Sequence, residues 1–162
     1  MESLREAVPD DVPALRAFAE DCVRPHYAPL IGVEAAAGQV RAWWNEKRLT
    51  AAIADGLVVV ATEDDRVVGV AQRGRSGEDH AVYKLYARPE HRGRGLGVRL
   101  LAALTEALPD DARWLHVEHF AANGRAGAFY EREGFEVRKV EPSRDGDPAL
   151  AIVWRAREVR RG

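Results

Sequence analysis

The chain has 162 residues, 46% of them hydrophobic and 31% charged, with a formal net charge of −2. That length suits one domain with a real core, here residues 1–162, and the composition excludes a disordered chain. The charge balance argues against a general nucleic-acid surface, the single cysteine excludes an intrachain disulfide, and no apolar run reaches membrane-spanning length.

With no signal-peptide pattern at its start, the sequence is expected to be a cytoplasmic protein, monomeric or homodimeric, with no membrane partner. In chain order, residues 4–8 form a short strand pattern. Asp10 or Asp11 can cap a helix on which Val12, Leu15, Phe18, Ala19, Cys22 and Val23 recur at helical spacing, and Pro25 and Pro29 are expected to break it. A second helical region covers residues 34–54, with Val40, Trp43 and Trp44 on its apolar side. Residues 57–62 and 66–72 read as a hairpin around Glu63-Asp64-Asp65. A polar loop at 74–79 precedes a strand at 81–87 and a helix at 96–108. Then come a strand at 114–120, a helix from Asn123 to Glu133 closed by Gly134, and strands at 135–140 and 150–154. The order β-α-α-β-β-β-α-β-α-β-β predicts an α/β domain whose mostly antiparallel sheet carries helices on both faces.

The junction at residues 82–97 is the most specific feature. An apolar strand stops at Pro89, an Arg/Gly-dense loop follows, and a helix opens at Leu96. Such a junction aims main-chain N–H groups and a helix N-terminus at one point, which suits a phosphate. Gly93, Gly95 and Gly97 allow close approach, and Arg88, Arg92, Arg94 and Arg99 add positive charge. There is no Gly-Lys-Ser/Thr for a Walker A loop, and Val98 stands where a Rossmann fingerprint has its third glycine.

Arg92-Gly93-Arg94-Gly95-Leu96-Gly97 resembles the Arg/Gln-x-x-Gly-x-Gly/Ala signature of the GNAT acyltransferases, and the preceding strand and element order are similar to that family's. Asn123 to Phe135 resembles the family's other signature, Asn-x-x-Ala-x-x-Phe/Leu-Tyr-x-x-x-Gly-Phe. The resemblance implies acetyl-CoA as cosubstrate, no metal, and an amine acceptor on a small molecule or a peptide terminus. It implies that the pyrophosphate rests on Arg92, Gly93, Arg94, Gly95, Leu96, Gly97 and Val98. It further implies that the main chain of Leu85, Tyr86 and Ala87 faces the thioester, that Asn123 meets the pantetheine arm, and that Tyr130 is the acid for the departing thiolate. The same fold without turnover would be a CoA-binding sensor, and a nucleotide-binding protein is a third reading of the glycine loop.

The base is less determined. Many members of the family carry a Glu where this chain has Ala81. The strand at 114–120 offers His116, Glu118 and His119. His119 is preferred because it ends the face shared with Leu115 and Val117, which should turn toward the cofactor; a water chain is an alternative. Cys22, on an apolar helix stripe, is read as core rather than nucleophile. Trp43 and Trp44 can line an acceptor pocket, with at least one of them packed in the core. Glu20, Asp21, Glu34, Glu78 and Asp79 are the acidic groups expected near the acceptor's entry.

Overall fold

The valine-rich segments Val58–Glu63 (β2) and Arg66–Ser76 (β3) form the expected hairpin across Asp64 and Asp65, whose φ values of 53° and 62° give the left-handed pair that a tight hairpin turn needs. The computed structural model describes residues 1–159. Around this hairpin lie β1 (Ser3–Glu6), β4 (Asp79–Ala87), β5 (Trp114–Phe120), β6 (Glu136–Glu141) and β7 (Ile152–Glu158), giving a seven-stranded sheet in the order β1-β2-β3-β4-β5-β7-β6. Every pairing is antiparallel except β4 with β5. The polar segment expected as a loop at 74–79 is mostly strand, because β3 and β4 pair out to Ser76 and Asp79.

Helices cover both faces. On one side α1 (Val12–Phe18), α2 (Arg24–Ile31), α3 (Val33–Trp43) and α4 (Glu46–Ala54) bury Leu15, Phe18, Val40, Trp44 and Leu49 against Val58, Val60 and Val70. On the other, α5 (Leu96–Glu106) and α6 (Gly124–Arg132) bury Leu96, Leu100, Leu104 and Tyr130 against Val68, Ala71, Leu115 and Val117.

Two helix expectations are corrected. Pro25 and Pro29 do not break the chain. It passes through a π-helical turn at Ala19–Val23 directly into α2: Pro25 sits where the π turn hands over to α2, and Pro29 lies inside α2. The region 34–54 is two helices, not one. Asn45 interrupts it and caps α4, its Oδ1 accepting from Arg48 N at 2.9 Å.

The β4–β5 pairing is short. It joins His80, Ala81 and Val82 to Leu115, His116 and Val117 and then stops. At the same point β4 carries a bulge: Val82 opposes Arg73 and Lys84 opposes Gln72, so Tyr83 is an extra residue. Beyond it the two strands diverge, leaving a gap between the second half of β4 and the end of β5.

Candidate active site

The gap is lined by main chain on its β4 side. Arg88 N donates to Val68 O at 2.8 Å, and Tyr86 and Lys84 pair with Val70 and Gln72 in the same register. Antiparallel alternation therefore turns the N–H and C=O of Leu85 and Ala87 away from β3, toward the gap. The main chain of Tyr86, expected to share that role, is spent on β3. Its side chain instead reaches Tyr27, hydroxyl to hydroxyl at 2.8 Å.

The loop after β4 is the segment in which the sequence places the phosphate donors. Gly93 and Gly95 have φ of 78° and 79°, and a Cβ at either would meet no protein atom within 4 Å. Their absence of side chains serves the backbone conformation and leaves the space above them open. Gly97 differs: a Cβ there would meet the Phe129 ring at 3.2 Å, so this glycine lets α5 pack closely on α6. His91 N and Arg92 N close turns onto Arg88 O and Pro89 O, and Arg99 N bonds Gly95 O. Among the described residues, the N–H groups of Gly93, Gly95, Leu96, Gly97 and Val98 meet no protein acceptor, while residues 92–93 form a turn closed by the Arg94 N–H. Open donors of this kind at the start of an eleven-residue helix suit an anion.

The arginines divide. Arg88 is buried and structural: Nε donates to Val67 O at 2.8 Å, Nη1 lies 3.5 Å from Asp21, and the guanidinium covers the Phe18 ring. Arg94 and Arg99 lie 3.6 and 3.4 Å from the Glu2 carboxylate. Arg92 makes no ion pair among the described residues. Burial, and then the neighbouring Arg125 guanidinium, make its charge harder to hold. Arg125 was not singled out in the sequence. Its signal is position, in the first turn of α6, and it joins Arg92 in pushing the half-buried His26 down in pKa after burial itself.

Asn123 caps α6, its Oδ1 accepting from Ala126 N at 3.3 Å, and is buried. Tyr130, two turns on, is buried with its ring edge-on to Phe129 and Phe135 and stacked near His119, centroids 6.4 Å apart. Burial, assisted by the nearby Tyr27, pushes its pKa far above that of a free phenol.

His119, the base candidate of the sequence, lines the cavity described below, with both ring nitrogens engaged by protein groups. Arg155 Nε donates to its Nε2 at 3.0 Å, so its Nδ1 carries the proton and faces Phe120 O at 2.9 Å. Both nitrogens are occupied. Burial, more than the Arg155 charge, lowers its pKa further. The ring also sits under Gly127, where a Cβ would meet it at 3.1 Å. His119 thus ties β5 and β7 to α6, and no lone pair is left for an acceptor amine. His116 donates from Nδ1 to His80 O at 3.3 Å and lies outside the cavity described next.

On the α1–α4 side, a cavity of about 370 Å³ reaches the gap, walled by Tyr27, Trp43, Trp44, Lys84, Glu118 and Trp154 among others. Both tryptophans line it, and Trp44 is also core, 3% exposed. Glu118 opens to solvent at the cavity but is walled closely enough that desolvation, and then Glu141, raise its pKa. The acidic residues expected here, Glu20, Asp21, Glu34, Glu78 and Asp79, are not in the wall. Lys84 is buried, donates from Nζ to Gln72 Oε1 at 2.8 Å, and stands 4.9 Å over Trp44. A larger, shallower depression of about 830 Å³ lies against Glu106, Trp114, Glu133 and Glu158 and touches none of the loop donors.

Residues 54–137 match the family described as "Acetyltransferase (GNAT) domain". Two mycothiol acetyltransferases are similar in sequence. That of Rhodococcus jostii (strain RHA1) is 38% identical over 100 residues, 58% of this chain and 32% of the relative. That of Amycolatopsis mediterranei (strain U-32) is 40% identical over 127 residues, 62% of this chain and 42% of the relative. The chain thus matches less than half the length of these curated relatives. Among solved structures, PaiA N-acetyltransferase from Thermoplasma acidophilum in complex with coenzyme A superposes with a TM-score of 0.77 at 19% identity, covering 95% of this chain and 98% of that one. Ribosomal-protein-alanine N-acetyltransferase from Brucella melitensis superposes at 0.68 and 27% identity, covering 96% and 99%. The family match spans the bulged strand, the donor loop and the capped helix that build the site, and the chain belongs to the GNAT acetyltransferase family, whose cosubstrate is acetyl-CoA.

Proposed function

We propose that this protein transfers an acetyl group directly from acetyl-CoA to a primary amine. The observation that carries the reading is the set of open donors at Gly93 and at residues 95–98, placed at the foot of a gap whose wall is the open main chain of Leu85 and Ala87. A pyrophosphate on these donors runs the pantetheine arm along that wall, past Asn123, and sets the thioester near Tyr130. The names of the sequence relatives, mycothiol acetyltransferases, support acetyl transfer as the reaction.

In this reading the amine nitrogen attacks the thioester carbon, and the oxygen that gains charge meets a main-chain N–H of Leu85 or Ala87. Collapse breaks the C–S bond. Tyr130, protonated throughout the physiological range, gives its proton to the sulfur. The thiolate forms in the same desolvated space, so its own proton affinity rises with that of the phenol. Glu118 takes the proton that the ammonium must lose before attack, directly or through water, and its raised pKa brings it closer to that task. Both protein groups are at hand without a covalent intermediate, and the thioester needs none.

Tyr130→Phe tests this. Turnover should fall by roughly 10²–10⁴-fold, the usual worth of general acid catalysis, while acetyl-CoA affinity by calorimetry stays within about twofold. Affinity without turnover in the parent protein, across a broad amine panel, would make the chain a CoA-binding sensor instead.

A further inference from the structure

The acceptor cavity is polarised. At one part of its wall stands Glu118, with the Glu141 carboxylate close enough to raise its proton affinity. At another stands Lys84, a cation only 6% exposed. Among the described residues, no carboxylate pairs with Lys84. Its neighbours are the neutral Gln72 amide oxygen at 2.8 Å, the Trp44 ring, and a second cation, Arg48, which itself lies 4.7 Å from the centre of the Trp43 ring. An ammonium carries three donors, and Gln72 uses one. A buried charge without a counter-ion is costly, and proteins retain such groups where something else supplies the opposite charge.

Resting on the acetyltransferase reading above, we propose that the acceptor is an amine that also bears a carboxylate, and that Lys84 is the specificity-determining residue that binds this carboxylate while the amine faces Glu118. A monoanion fits better than a phosphate. Among the described residues, Lys84 is the one lysine or arginine in the cavity wall, Arg48 lying outside it against Trp43, and one ammonium with one donor already engaged matches a single negative charge, whereas a phosphomonoester would bring nearly two. The apolar walls from Trp43, Trp44 and Tyr27 exclude water from the pair and strengthen it. Lys84 has its pKa lowered to about 8, by burial first and by Arg48 second, so it remains mostly charged at neutral pH while lacking a stabilising anion.

The experiment compares matched acceptors with acetyl-CoA: free α-amino acids, ω-amino acids and dipeptides, each against its carboxamide. Thiol release gives kcat and KM for the parent protein, Lys84→Met and Lys84→Arg. Parent kcat/KM should favour the carboxylate member of the preferred pair by roughly 10–100-fold, the worth of a charged hydrogen bond. The preference should sit mainly in KM, vanish in Lys84→Met and survive in part in Lys84→Arg. Calorimetric binding of acetyl-CoA certifies that each variant is folded. Acetylation of amines with no carboxylate preference, or a preference that persists in Lys84→Met, overturns the proposal while leaving acetyl transfer standing. Failure to release thiol with any amine, despite acetyl-CoA binding, removes both.

Discussion

Arg155 Nε donates to His119 Nε2 at 3.0 Å, and this one bond decides what His119 can do. A histidine whose lone pair is taken by a guanidinium holds strands together and does not collect protons. His119→Ala should leave the shape of the pH–rate profile unchanged. It should lower stability by about 1–3 kcal/mol, because Arg155 loses its acceptor and a gap opens beneath α6. Denaturant titration and a pH series of kcat/KM check both halves. Loss of the lower-pH limb would return the base role to His119.

Glu118 is the group whose ionisation should shape that limb. Its pKa is raised, so it stays protonated to a higher pH than a free glutamate, about 4.3. As a base it works only when ionised. The parent kcat/KM should therefore rise with pH through a limb displaced above the ordinary carboxylate range. Glu118→Gln should abolish that limb and lower the plateau by roughly 10²–10⁴-fold. An unchanged limb in the variant would assign the proton to water or to the amine itself.

The two loop substitutions separate backbone from charge. Gly95 has φ of 79° and open space above it, so Gly95→Val forces an unfavourable backbone and puts a side chain where the phosphate approaches. Arg94 is an exposed cation already 3.6 Å from Glu2. Gly95→Val should weaken acetyl-CoA binding by at least about tenfold more than Arg94→Ala, since a surface charge contributes at most about 1 kcal/mol. Calorimetry with both variants reads the difference directly. Equal losses, or an undiminished affinity in Gly95→Val, would move the pyrophosphate off this loop.

Local signals in the sequence were enough to read the strand–loop–helix junction, the Asn123 cap and the burial of Cys22, because each depends on a few adjacent residues. Cys22 is buried in the helical core, and burial raises its thiol pKa. The face of His119 was also legible, since alternation along β5 places it with Leu115 and Val117. What could not be read was its partner: Arg155 lies two strands' worth of chain away and meets it only through the β5–β7 register. The bulge at Tyr83 was equally hidden. Nothing in Val82-Tyr83-Lys84 marks an extra residue, yet it sets which main-chain groups of β4 face the gap and which face of the sheet Lys84 takes. The helix break at Asn45 and the continuity through Pro25 turn on capping and on a π turn, where short-range propensity is evenly balanced.

The most direct test is to follow the acetyl group itself. With acetyl-CoA alone, intact-mass measurement should show no acetyl on the protein, Cys22 and Lys84 included. On adding an acceptor amine, thiol release and acetylated amine should appear in equal amounts. A stoichiometric acetyl-protein that discharges when amine is added would contradict direct transfer and replace it with a covalent relay.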